Sequence, residues 1–123
     1  MRFLTDRKLA QGLGAGHTGT HHHWNAIITS AALVVLVPLF VITFGLALGS
    51  SHEDVLAYFA RPFPAIITAL TAVVVILHCK GEIDEALIDY VHGTTGKLLL
   101  VAVQALSWAM IAGALFALVK LAL

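Results

Sequence analysis

Charge is scarce in this chain. Asp, Glu, Lys and Arg make up 11% of its 123 residues, while 59% are hydrophobic. A water-soluble domain of that length needs a far more polar surface, so the composition indicates a membrane domain. Length alone points to a single domain, residues 1–123. The few charges also cancel, with seven basic and seven acidic residues. That leaves no electrostatic footprint for nucleic acid or a generic anionic surface. Cysteine is nearly absent: Cys79 stands alone, which excludes an internal disulfide, a CxxC redox pair and a cysteine-based zinc cluster. It reads as a small packing residue. The opening "MRFLTDRKLAQGLGAGHTGTHHHW" lacks an apolar core followed by a small-residue cleavage site, so it is not expected to be a secretory signal. Apart from the run His21–His23 there is no low-complexity tract, and no internal repeat.

Three apolar runs are present. Ala26 to Leu48 and Leu98 to Val119 carry no charge, and each is long enough for the ~20 residues a membrane-crossing helix needs. The second run, Phe63 to Leu77, is shorter, but helical character can continue through "CKGEIDEALIDYV". None of the runs alternates, so a transmembrane barrel is excluded and helices remain. The expected fold is therefore an all-α integral membrane protein with three transmembrane helices, about 26–48, 63–91 and 97–120, running up-down-up after a tail of residues 1–25. Pro38 is expected to kink the first helix. In "GSSHEDVLAYFARP", Ser51 is expected to cap a short interfacial helix that Pro62 breaks. In "VHGTTGK", Thr94 or Thr95 is the expected cap of the third helix.

Lys and Arg set the orientation. Arg2, Arg7, Lys8, Lys80 and Lys97 fall on one side, Arg61 and Lys120 on the other. This predicts a cytoplasmic N-terminus and an exported C-terminus.

The chemistry concentrates on the second helix. With His78 at zero and about 100° per residue, Glu82 falls near 40°, Glu85 near 340° and Asp89 near 20°. All four share one stripe, and Asp89 lies about 16 Å along the axis from His78. Like charges at this spacing repel. Either a cationic partner beyond this chain or a protonated carboxylate is then required, unless the acids form a solvated cytoplasmic face. His78 follows fifteen uncharged residues, so it lies at membrane depth, where ionisable groups usually face a bundle interior. A neutral imidazole there can ligate haem iron, relay a proton or bond another helix. Tyr90 reads equally as an interfacial aromatic anchor, as does Trp24.

The motif "H-x10-D-Y" at His78, Asp89 and Tyr90 resembles the second helix of the small, cytochrome b-type membrane anchor of succinate dehydrogenase, respiratory complex II. The three-helix layout, the chain length and the entry "GAGHTGTHHHW", Gly14 to Trp24, resemble that family too, so the likeness covers nearly the whole chain. It implies a helical bundle completed by a second cytochrome b anchor subunit in the bacterial inner membrane, with the C-terminus periplasmic. It implies docking of an iron–sulfur subunit and a flavoprotein subunit. It implies that His78 is one axial ligand of a haem b shared with the second anchor. Tyr90 is implied as hydrogen-bond donor to ubiquinone, with Asp89 as its acidic neighbour. The chain is then the anchor of a succinate:ubiquinone oxidoreductase and not catalytic alone, since it has no flavin or cluster motif. A quinol:fumarate reductase anchor and a cofactor-free structural subunit are the alternatives. Two departures stand out: the family's Arg three residues after the entry Trp is here Ile27, and a glycine four residues beyond the histidine is here Gly81, three beyond. His21–His23 are expected to contact the hydrophilic subunits or haem propionates rather than a metal ion, because consecutive side chains do not converge.

Overall fold

The computed structural model describes residues 5–10 and 17–123, and the described residues form helices only. In chain order these are α1 Asp6–Ala10, α2 His17–Gly45, α3 His52–Phe59, α4 Pro62–Tyr90 and α5 Gly93–Ala122. α2, α4 and α5 are each long and apolar enough to cross a membrane. At ~1.5 Å per residue each is about 43–45 Å long, more than the ~30 Å of hydrocarbon, so their ends project into the headgroup layers. The fold is an all-α integral membrane protein, as expected.

α4 is the middle element. It packs against both α2 and α5, whereas α2 and α5 do not pack on one another. Apart from Ile67 and Ile111, the buried positions of α4 and α5 are small or polar. Thr71 and Ser107 return their hydroxyl protons to the carbonyls of Ile67 and Val103, one turn back, at 2.7 and 2.8 Å. Such residues let helix backbones approach where no hydrophobic force drives association. Bulky side chains point outward instead: Val34, Phe116 and Val101 are all well exposed. In a bilayer these faces meet lipid or the helices of a partner.

α3 is the predicted interfacial helix. Ser51 caps it, accepting from the Asp54 N–H at 3.3 Å while donating to the Asp54 carboxylate at 2.7 Å. Pro62 is the first residue of α4, where its missing N–H costs nothing. α3 is tied back to the end of α2 through side chains: the Tyr58 hydroxyl donates to the Thr43 carbonyl at 3.0 Å, and buried Phe59 meets the Phe44 ring.

Four expectations at helix ends are corrected. α2 starts at His17, not near 26, because hydropathy marks only the lipid-crossing stretch and nothing in "HTGTHHHWN" stops a helix. Its C-terminal end at Gly45 precedes Leu48, with residues 46–49 in turns. α5 starts at Gly93 rather than 97, and neither Thr94 nor Thr95 is its cap: that position belongs to His92, whose side chain makes no capping bond. The reversal takes only Val91 and His92 because Gly93 adopts φ +77°, a conformation other residues rarely reach. Pro38 lies inside α2, as expected.

The tight reversal seats buried Gly96 against Val91. A Cβ on Gly96 would collide with the Val91 carbonyl oxygen, and that oxygen is backbone. Gly96→Ala is expected to destabilise the α4–α5 hairpin by about 1–3 kcal/mol, the usual cost of overpacking. The check is a lowered thermal transition of the detergent-solubilised protein relative to Gly113→Ala, where the added Cβ meets open space.

Candidate functional site

α2 and α4 run antiparallel, and their polar faces meet. The Oγ1 of Thr29 lies 3.0 Å from His78 Nδ1. Seven residues away on each helix, the His22 Nδ1 lies 2.7 Å from Glu85 Oε1. Seven residues are almost two turns, about 10 Å of rise, so the two bonds form rungs along one seam. The seam explains the polar stripe on α4. His22, Asn25, Ala26 and Thr29 recur at helical spacing and present a matching stripe on α2.

Between the rungs opens a cleft of about 420 Å³. α4 floors it with Leu77, His78, Gly81 and Glu82, α2 supplies Asn25 and Thr29, and Gln104 reaches it from α5. His78 is half-buried; only its Nδ1 is hydrogen-bonded, and Nε2 has no partner among the described residues. A second hollow, about 460 Å³, lies further toward the end of α4, lined by Gly19, His22, Glu85, Ile88 and Asp89.

The predicted site residues are thus not all brought together. His78 and Asp89 line two successive hollows of the same seam. Tyr90 does not line either: it closes α4 with 85% of its surface exposed and no hydrogen bond among the described residues. Cys79 is exposed, off the seam.

Two of the acids find partners inside the chain, only one of them on the stripe. Glu85 meets His22, and Asp84 receives Lys80 Nζ at 2.5 Å one turn away. Asp84 lies off the stripe, and its Oδ1 is buried without a partner among the described residues. The His22–Glu85 pair is substantially exposed, so its charge is screened and it fixes register more than it stabilises. Asp89 and Glu82 have no ion-pair partner among the described residues.

The histidine run is helical, so its side chains diverge by ~100° per residue. His22 turns to α4 while His21 and His23 are exposed. Among the described residues no three His, Cys, Asp or Glu side chains gather as a metal site. Gly14 of the entry motif, with its two successors, lies outside the described residues. Thr29, Asn25 and Gln104 are site residues that sequence reasoning does not single out. The spacing of His22 and Thr29, equal to that of His78 and Glu85, is the available signal.

Comparison with known proteins agrees with this architecture. A family model described as succinate dehydrogenase/fumarate reductase transmembrane subunit matches residues 1–120. The succinate dehydrogenase hydrophobic membrane anchor subunit of Paracoccus denitrificans is 45% identical over 123 residues, covering 100% of this chain and 95% of that protein. No solved structure matches.

Proposed function

Because the chain belongs to the succinate dehydrogenase/fumarate reductase transmembrane-subunit family, we propose that it is the small membrane anchor of a succinate:ubiquinone oxidoreductase, holding one side of a haem b with His78 and one wall of the ubiquinone site with Asp89 and Tyr90. The observation that carries the reading is His78 itself. It is held at one ring nitrogen by Thr29, leaves Nε2 without a partner among the described residues, and lines a cleft at membrane depth.

The residues fit a b-type haem as a half-site. A b-type haem would take one imidazole from this chain, that of His78, and its other protein ligand from a second anchor chain. When bound, the haem would supply one-electron redox capacity. The chain's own residues do the rest. His78 offers a neutral nitrogen. His22 and Glu85 hold the two helices in register beneath it.

Quinone reduction takes up two electrons and two protons. In this reading Tyr90 donates its O–H to a carbonyl oxygen as negative charge develops there. Asp89, on the adjacent position and lining the second hollow, carries a proton toward that oxygen or bonds a basic group of a partner. The His22–Glu85 pair borders the same hollow. The acidic end of α4 and the polar start of α2 face the cytoplasm in this reading, where an iron–sulfur subunit and a flavoprotein subunit dock. The C-terminus of α5 then lies on the periplasmic side of the inner membrane.

One observation favours a second reading. A histidine bonded to a threonine across two helices is also what a cofactor-free structural subunit would show. The purified complex separates them: in the first reading the chain co-purifies with three other subunits and gives a reduced-minus-oxidised b-type spectrum. A pigment-free complex refutes it.

A further inference from the structure

Thr29 Oγ1 stands at a three-way junction. It lies 2.9 Å from the Asn25 carbonyl and 3.1 Å from the Ala26 carbonyl on its own helix, and 3.0 Å from His78 Nδ1 on α4. A hydroxyl has one proton and two lone pairs. Inside a helix that proton goes to a carbonyl about one turn back, and both own-helix contacts of Thr29 follow that pattern. Toward His78 the oxygen therefore accepts, and the proton in that bond belongs to Nδ1. A neutral imidazole protonated at Nδ1 has a bare lone pair at Nε2. The opposite assignment, with the hydroxyl donating to Nδ1, would put the hydrogen on Nε2 and close it to a metal.

We infer that Thr29 is the positioning residue of His78. It fixes the tautomer in which Nε2 is the free donor atom, and it holds the ring plane from a different helix. This deepens the haem reading and rests on it. Metal-bound histidines generally donate their second ring N–H to an oxygen acceptor, which orients the ring and raises its basicity. Here the acceptor is a neutral hydroxyl on α2, so the placement of α2 against α4 governs the electron-donating power of His78.

The test compares Thr29→Val, which keeps the shape and removes the oxygen, with Thr29→Ser, which keeps the oxygen, in the intact complex. The readouts are the haem midpoint potential and the low-spin electron paramagnetic resonance signal of the oxidised haem. Thr29→Val is expected to raise the potential, because a less basic imidazole stabilises ferric iron less, and to shift or broaden the low-spin signal, because the ring is free to turn. Thr29→Ser is expected to match wild type in both. Where Thr29→Val yields no complex, Thr29→Ala is read in its place. A hydroxyl-free variant with wild-type potential and signal overturns the inference, as does a Thr29→Ser displaced equally far. A haem spectrum unchanged in His78→Ala overturns the haem reading and this inference together. A spectrum that depends on His78 but not on Thr29 overturns this inference alone.

Discussion

His78→Ala is expected to abolish the low-spin b-type spectrum of the assembled complex. Replacing even the outer partner of a metal ligand typically weakens a site by about 10–100-fold, so removing the ligand itself is expected to weaken haem retention on the order of a hundredfold or more. The substitution should leave the helices in place. It removes one hydrogen bond between α2 and α4, and such bonds in membranes average about 0.6 kcal/mol. The His22–Glu85 rung remains. The complex is therefore expected to purify with its other subunits while losing pigment. A b-type signal that persists unchanged removes His78 from the haem.

Tyr90→Phe separates quinone chemistry from assembly. The hydroxyl makes no hydrogen bond among the described residues, and the residue is 85% exposed. Phe keeps the ring, so α4 and its packing should be unaffected. If the O–H stabilises charge on a quinone oxygen, its loss is expected to slow succinate–quinone reduction by on the order of a hundredfold, the scale of losing one oxyanion donor. Succinate oxidation with an artificial acceptor draws electrons before the quinone and should be intact. Equal loss of both activities would assign Tyr90 to docking instead.

The parts legible in the sequence are those set by one segment at a time. The three spans follow from apolar length, the Ser51 cap and the Pro62 start follow from local backbone chemistry, and the His78–Glu82–Glu85–Asp89 stripe follows from helical period. The parts that are not legible depend on how segments meet. His22 reaches Glu85 only because α2 continues nine residues below its apolar run, and apolar content marks the bilayer, not the helix. In the sequence Thr29 is one more small polar residue in a hydrophobic helix. Its role emerges once the antiparallel register places it opposite His78. The α4–α5 turn misleads for a different reason: two threonines suggest a cap, while Gly93 and Gly96 make a shorter reversal possible in which no side chain caps. Membership in the family is legible because the His-to-Asp-Tyr spacing lies within a single helix.

α2 and α5 do not pack on one another; α5 packs on α4 and on α3, which the Tyr58 hydroxyl bonds to the end of α2. α2 precedes α4 in the chain, and its seam residues His22 and Thr29 find their cross-helix partners only on α4, which runs in the opposite direction. The Tyr58 bond to Thr43 folds the intervening chain back onto the end of α2 and so aims that helix at its neighbour. A stalled chain ending after α4 already contains every side chain of the seam except Gln104.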